Sequence, residues 1–462
     1  MAARLLGIDI GTTGVRAAVF DARGALLADA QVPCPYASPQ PGWAEIDPER
    51  WWSATGEVLA QIDLAGVDAV AVVGQAPTAA LLGSKQPAIL WLDTRAAAEA
   101  RAMGEHAYYL GPKLAWLAAR GLLDGATAVV QSHAYVAYRL TGELATDPST
   151  AALCRPHFDL AARAWSAPPD LAPKLPPIRA AHAILGHVRA NAFGLREGTP
   201  VVAGGGDFAA ATLGAGVVAE GEACLMLGTA GNLLVPRATP GTDPRLINAH
   251  HVGADLWLSL GGTLSGGAME WLRRALGDVP HDELEREAAP LPAGAGGLLF
   301  LPYLAGERTP IWDTDARGTF VGLGLEHGRG HLWRALLEGI ALGFVDCQEV
   351  LEQDGVKLTG VVAADNGGKS ALFRQILCDA LGVPLSYTPR SSGTVAGAAM
   401  LAGLGVGALS SPDEARRWRG EAVHHEPNAE AHARYRALLP LRRAAYEGLR
   451  PLNASLAQLR GA

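Results

Sequence analysis

A strand, a glycine–threonine turn and a returning strand occur twice in this chain, and that recurrence restricts its fold more than any other feature. Leu5-Leu6-Gly7-Ile8-Asp9-Ile10 is a short apolar run, Gly11-Thr12-Thr13-Gly14 is a turn, and residues 15–20 return as a second strand. Residues 223–227 repeat the first strand, Gly228-Thr229-Ala230-Gly231 the turn, and 232–235 the return. Two copies of one α/β unit account for a length of 462 residues, which exceeds a usual single core. The predicted architecture is therefore α/β, with two domains, 1–236 and 237–462, and a cleft between them.

Hydrophobic periodicity fills in the rest. A helix is expected over 47–62, where Trp51, Ala54, Val58 and Leu59 fall at helical spacing, and a buried strand over 67–73, ending at Gly74-Gln75. Further helices are expected over 113–120 and 132–140, and a strand over 201–203 that runs into Gly204-Gly205-Gly206-Asp207. The second half carries strands near 256–260 and 361–364 and helices near 331–350 and 371–381. Ser411-Pro412-Asp413-Glu414 reads as a capped helix start, followed by a polar helical tail. Trp51, Trp52, Trp116, Trp271 and Trp333 sit at helical positions and read mostly as core.

Composition excludes several classes of function. With 49% hydrophobic and 18% charged residues, the chain has material for sizeable cores and is no disordered polymer. A net charge of −8 argues against nucleic acid as a partner. A nucleoside triphosphate would have to be held by local amides, helix N-termini and a metal ion rather than by bulk charge. No apolar run approaches the roughly 18 residues that span a membrane, and the chain enters its first strand without a leader pattern. Five widely spaced cysteines without a CxxC pair read as reduced, buried thiols, which points to the cytoplasm. The adjacent pairs His250-His251 and His424-His425 point apart on a strand and are poor metal chelates.

Three segments carry chemistry. In the first turn, glycines let the backbone approach phosphate oxygens, Thr12 and Thr13 can donate to them, and Asp9 at the strand end can hold a metal ion. The same residues also suit an ordinary hairpin with an incidental aspartate. Asp207 follows three glycines at the end of a buried strand and suits general-base work on an alcohol. The alternative is a glycine-rich turn whose aspartate caps a helix. Gly228-Thr229 mirrors the first turn, and two opposed turns can clamp a polyphosphate. Asp365-Asn366-Gly367-Gly368-Lys369-Ser370 ends like a P-loop, but alanine stands at 363 where that motif needs glycine.

Taken in order, these strings resemble the FGGY family of carbohydrate kinases. Gly7-Ile8-Asp9-Ile10-Gly11-Thr12-Thr13 is similar to its first phosphate turn, and residues 87–95, PAILWLDTR, to an A-I-x-W-x-D-x-R segment. Lys113-Leu114-Ala115-Trp116 resembles its K-L-x-W signature, and Leu140-Thr141-Gly142-Glu143 with Thr146-Asp147 its L-T-G-E-x-x-x-D stretch. Gly205-Gly206-Asp207 resembles the segment bearing the catalytic base. Residues 301–310, LPYLAGERTP, and the spacing from Gly318 through Phe320 and Gly322 to His331 and Glu338 complete the pattern.

The resemblance implies two actin-like, ribonuclease-H-type domains that close on ATP and a small sugar, with Mg²⁺ as the metal. Asp207 would be the base and, with Asp9, would serve the metal. Gly11, Thr12, Thr13, Gly228, Thr229, Gly262, Gly367, Gly368 and Ser370 would contact ATP, and Gln75, Ala76, Pro77, Asp93, Asp207 and Phe208 would line the sugar site. The expected reaction is phosphorylation of a ketopentose such as D-xylulose, with another ketose, a polyol or a sugar acid as alternatives. The sequence is compatible with a homodimer.

Two departures stand out. Xylulose kinases commonly read G-Q-M-H-G at the sugar turn, whereas Gly74-Gln75-Ala76-Pro77-Thr78 lacks the histidine donor, and Phe208 replaces an amide residue common after the base. Asp365 and Asn366 stand where glycines are usual in the adenosine segment. These changes motivate a rival reading, a nucleotide-dependent sugar sensor without turnover, against which the retention of Asp9 and Asp207 speaks.

Overall fold

The computed structural model describes residues 3–190, 192–364, 366–389 and 393–460. Its frame is a pair of sheets with one shared topology. In the first, the strands Arg4–Ile10, Gly14–Asp21 and Leu26–Pro33 form an antiparallel meander. Val67–Gly74 lies parallel beside Arg4–Ile10, Pro200–Gly206 lies parallel beside that, and Ile184–His187 closes the edge antiparallel. In the second, Glu222–Leu227, Ala230–Arg237 and Trp257–Leu264 repeat the meander. Gly360–Ala364 and Leu385–Tyr387 then repeat the parallel pair, and Val423–His425 repeats the antiparallel edge. The strand Ile247–His250 adds to the far side of the second meander. The repeat read from the two turns is thus a repeat of whole sheets.

The division expected at 236/237 falls inside the strand Ala230–Arg237, so it does not separate the two sheets. The second sheet begins at Glu222. Val67–Gly74 is buried at every residue but Asp68, as a parallel strand covered on both faces must be.

Two helices join the halves. Asp207–Gly214 follows the strand Pro200–Gly206, and Gly393–Gly405 returns from late in the chain. Their shared core holds Leu5, Ala71 and Val202 of the first sheet together with Cys224, Leu234 and Val362 of the second. The helices touch backbone to backbone. A Cβ on Gly214 would lie 1.8 Å from the Gly393 carbonyl oxygen, and one on Gly397 would lie 1.9 Å from that of Ala210. Only glycine permits such an approach.

The expected elements otherwise form where periodicity placed them, as Pro48–Leu59, Leu110–Ala118, Ser132–Thr141, Arg329–Gln353 and Ala371–Leu381. Three details differ. The stretch after Ser411 is a 3-10 helix, Pro412–Trp418, and the Glu414 carboxylate accepts from Ser410 rather than closing a capping box on Ser411. Trp271 is 38% exposed and stacks on Phe300 at the surface instead of entering the core. The C-terminal helix Ala429–Arg460 is not merely a polar tail, because Tyr435, Leu439 and Arg442 are buried against the second domain, with Arg442 paired to Asp346. All five cysteines are free and buried, and no helix among the described residues is long and apolar enough to cross a membrane.

Candidate active site

The parallel registers decide which chain segments meet. Gly74 pairs with Ile10 on one side and with Gly206 on the other. Three segments therefore leave the first sheet side by side from the carboxyl ends of parallel strands, where open α/β sheets bind ligands. They are the Gly11–Thr13 turn, the turn beginning at Gln75, and Asp207. In the second sheet, Met226 pairs with Ala364, which sets Gly228-Thr229 beside the 366–370 segment.

Each turn is held by specific bonds. The Gly11 amide donates to the Gly14 carbonyl at 2.9 Å, and the Thr12 hydroxyl accepts from Trp91 Nε1 at 3.0 Å. In the second turn, the amides of Ser265, Gly266 and Gly267 donate to the carbonyls of Gly228 and Thr229. This anchors the start of the helix Gly266–Ala275 beneath the turn and leaves Gly228 and Thr229 exposed. A Cβ on Gly367 would come within 2.6 Å of the Leu227 carbonyl oxygen, and one on Gly368 within 2.7 Å of the Tyr387 ring. Both glycines are thus needed for that segment to lie against the turn. It is a 3-10 turn, Asn366–Lys369, followed by Ser370, whose hydroxyl caps the next helix by accepting from the Phe373 amide at 3.0 Å. It is no P-loop. Asp365 and the side chain of Asn366 lie outside the described residues.

Asp207 opens its helix half-buried, with one carboxylate oxygen accepting from the Phe208 amide at 2.7 Å. A second layer fixes the strand end behind it. Asp147 caps the short helix Pro148–Ala151, accepting from the amides of Ser149 and Thr150, and the Ser149 hydroxyl accepts from the Gly206 amide at 3.2 Å. A Cβ on Gly205 would lie 3.0 Å from Asp147. The L-T-G-E-x-x-x-D stretch is therefore a support for the strand end that carries Asp207.

Not every expected contact reaches the cleft. Phe208 turns away into the core between the sheets and covers Gly206. Asp93 is buried with its oxygens occupied by the Ala44 amide and by the amide and guanidinium of Arg95, which makes it a brace. Gly262 is closed to a nucleotide, because Thr309 Oγ1 accepts from its amide at 2.6 Å and donates to its carbonyl at 3.1 Å. Ala76, Pro77 and Thr78 are buried. Gln75 is buried too, and its Oε1 accepts from Thr78 Oγ1 at 3.0 Å, while its amide nitrogen has no protein partner among the described residues.

Other residues form the cleft wall. A cavity of about 400 Å³ lies between the domains, lined by Trp91, His106 and Tyr108 of the first and by Ala230, Glu307 and Arg308 of the second, among others. Trp312 stacks on His106 with ring centroids 3.8 Å apart and planes 8° apart. Lys113 is fully buried and donates to the carbonyls of Ala107 and Tyr108 at 2.7 and 2.8 Å, so the K-L-x-W lysine fixes the backbone that presents Tyr108. Burial pushes its pKa down to about 7, with Asp93 opposing the fall. Burial raises the Tyr108 phenol, which lies within electrostatic reach of both Arg308 and Asp207. Burial likewise pushes Glu307 up to about 7, against the Thr263 hydroxyl and Arg308 amide that donate to it. Sequence reasoning quoted the strings holding Trp91 and Arg308 but did not single these residues out, since only the fold brings residues 91 and 308 together.

The donor set suits Mg²⁺ and a triphosphate. Asp9 and Asp207 stand at strand ends one strand apart. Among the described residues no group of three or more His, Cys, Asp or Glu is gathered. Two carboxylates suffice for an ion that keeps water and phosphate oxygens. The turn backbones and threonine hydroxyls, partly exposed in the first turn and exposed in the second, are of a kind that can donate to phosphate oxygens.

Comparison with known proteins agrees with this geometry. The family model for the FGGY carbohydrate kinase N-terminal domain matches residues 4–214, and that for the C-terminal domain matches 223–406. The chain is 32% identical to the xylulose kinase of Escherichia coli K12 over 97% of its own length and 100% of that protein's. The crystal structure of xylulose kinase from Rhodospirillum rubrum superposes with a TM-score of 0.88 at 32% identity, covering 98% of this chain and 100% of that one. The gluconate kinase of Lactobacillus acidophilus superposes at 0.90 with 25% identity, covering 99% and 100%. Two matched domains, one site between them and full-length relatives place this chain in the FGGY family of carbohydrate kinases.

Proposed function

We propose that the protein transfers the γ-phosphoryl group of ATP to a hydroxyl of a small sugar, with D-xylulose as the leading substrate and D-xylulose 5-phosphate as its product. The observation that carries this reading is the register of the first sheet. It brings the Gly11–Thr13 turn, the turn beginning at Gln75 and Asp207 to three adjacent strand ends.

ATP with Mg²⁺ supplies an activated phosphoryl group whose negative charge the metal partly neutralises. Gly11, Thr12 and Thr13 would bind phosphate oxygens from one domain, and Gly228, Thr229 and Gly367 from the other. Asp9 and Asp207 would face the metal. Asp207 would orient the acceptor hydroxyl and take its proton. An ordinary carboxylate serves, because proton loss can come late in phosphoryl transfer. The orphaned Gln75 amide at the sugar turn would donate to a sugar oxygen. Closure of the two walls over a cavity of about 400 Å³ would exclude water and limit wasteful hydrolysis. Both xylulose kinase relatives support the ketopentose assignment, and a cytoplasmic site of action accords with five free, buried cysteines.

The test is an ADP-release assay with Mg-ATP over ketoses, aldoses, polyols and sugar acids. Saturable turnover on D-xylulose is expected, falling about 10²–10⁴-fold in Asp207→Asn. Near-normal turnover by that variant would remove Asp207 from its role. Tight ATP binding without turnover on any acceptor would favour the sugar-sensor reading.

A further inference from the structure

The first domain's sugar turn is short of donors. Pro77 has no amide hydrogen, Ala76 has no polar side chain, and Phe208 faces the core. On the opposite wall, Arg308 presents a guanidinium that makes no ion pair and no hydrogen bond among the described residues. Its carbon lies 5.3 Å from the Trp91 ring centroid and 5.6 Å from that of Tyr108, within range of a cation–π contact to each. Trp91 is bonded to Thr12 of the phosphate turn, and Tyr108 senses both Arg308 and Asp207. The cation is therefore flanked by the phosphate side and the base side of one cavity.

Its backbone is held firmly. Glu307 Oε2 accepts from the Thr263 hydroxyl at 2.5 Å and Oε1 from the Arg308 amide at 2.9 Å. Thr309 exchanges two bonds with Gly262, and the Trp312 amide donates to the Arg308 carbonyl. Residues 307–309 are thus stitched to the strand Trp257–Leu264. This rigidity resembles that of a recognition element rather than of a solvated surface arginine.

We propose that Arg308 is a specificity-determining residue, donating to a carbonyl or carboxylate oxygen of the bound substrate. A guanidinium has five donors and no acceptor. It suits an sp² acceptor oxygen better than a hydroxyl, which must also place its own hydrogen. With no carboxylate hydrogen-bonded to its guanidinium among the described residues, the arginine admits an anionic acceptor as well as a ketone. Ketoses and aldonates are accordingly favoured over polyols of the same length. This inference rests on the sugar-kinase reading and adds to it the chemical feature that the cleft selects.

The experiment compares wild type, Arg308→Lys and Arg308→Met on D-xylulose, D-xylonate and xylitol, with Mg-ATP saturating. Wild type should prefer the first two. Arg308→Met should raise KM for whichever of them is accepted about 10- to 100-fold, with kcat within a few-fold and xylitol little changed, so that discrimination collapses. Arg308→Lys should recover part of the binding for D-xylonate, where a point charge suffices. An unchanged KM for every substrate overturns the proposal, as does a loss confined to kcat, which would place Arg308 on the phosphoryl group. Ligand-induced thermal shifts on the same panel read the role of Arg308 without turnover, and an ATP-induced shift confirms that each variant is folded. Absence of turnover by wild type on any acceptor would sink the kinase reading. Unaltered shifts in Arg308→Met would sink only this one.

Discussion

Replacing Glu307 by glutamine should flatten the pH dependence of stability. The wild-type carboxyl is buried, and burial lifts its pKa from 4.5 to about 7, although the Thr263 hydroxyl, the Arg308 amide and the charges of Arg308 and Arg442 pull it down. A group whose folded pKa is raised contributes stability that is fully present below the unfolded value and lost as pH rises through the folded one. The window is thus pH 4.5 to 7. At about 1.4 kcal/mol per pKa unit, wild type should lose about 2 to 3 kcal/mol from this group between pH 5 and pH 8. Glutamine stays neutral throughout and can keep both bonds. Its oxygen accepts from the Arg308 amide, and its nitrogen donates to Thr263 Oγ1 once that hydroxyl turns. Thermal unfolding of both proteins at the two pH values is the assay. The wild-type midpoint should fall by about 5–10 °C more than that of Glu307→Gln, at roughly 2–4 °C per kcal/mol for a domain of this size. Parallel shifts in the two proteins would refute a buried, raised carboxyl at this position.

Two further outcomes are expected. Ser149→Ala removes the acceptor for the Gly206 amide, so the thermal midpoint should drop by the equivalent of about 1–3 kcal/mol, with kcat falling about tenfold and KM for ATP unchanged. A KM-only effect would show that Ser149 does not position Asp207. Gly214→Ala drives a Cβ to 1.8 Å from the Gly393 carbonyl oxygen, where both sides are backbone and neither can turn aside. It should cost about 3 kcal/mol or more in denaturant unfolding, and a neutral result would mean that the two central helices do not pack as described.

Much of the fold was legible because its signals are local. A glycine–threonine turn between two apolar runs needs only adjacent residues to be recognised, and each such turn opens one sheet. Asp207 was legible for the same reason, since three glycines ahead of a carboxylate are contiguous in the chain. The start of the second sheet was legible too, in the repeat at 223–227, but the limit drawn at 236/237 cuts the hairpin that Glu222–Leu227 forms with Ala230–Arg237. Nor did the sequence disclose that Gly393–Gly405 packs against the first sheet. That contact rests on Gly7, where a Cβ would lie 2.1 Å from the Val395 carbonyl oxygen, and the two residues are far apart in the chain.

Residue chemistry followed the same division. By itself the sequence determined the family, the two turns and the place of Asp207 at a strand end, because short-range patterns encode backbone shape and set a functional group at its end. Whether a polar side chain reaches the cleft was decided by tertiary structure alone. Asp93 and Gly262 carry suitable groups, but Arg95 and Ala44 occupy the one and Thr309 the other. Arg308 became a cleft residue because Trp91 and Tyr108 arrive opposite it from the other domain. A hydrogen-bonding group serves function only if folding leaves its valence open, and that depends on partners the local sequence does not name.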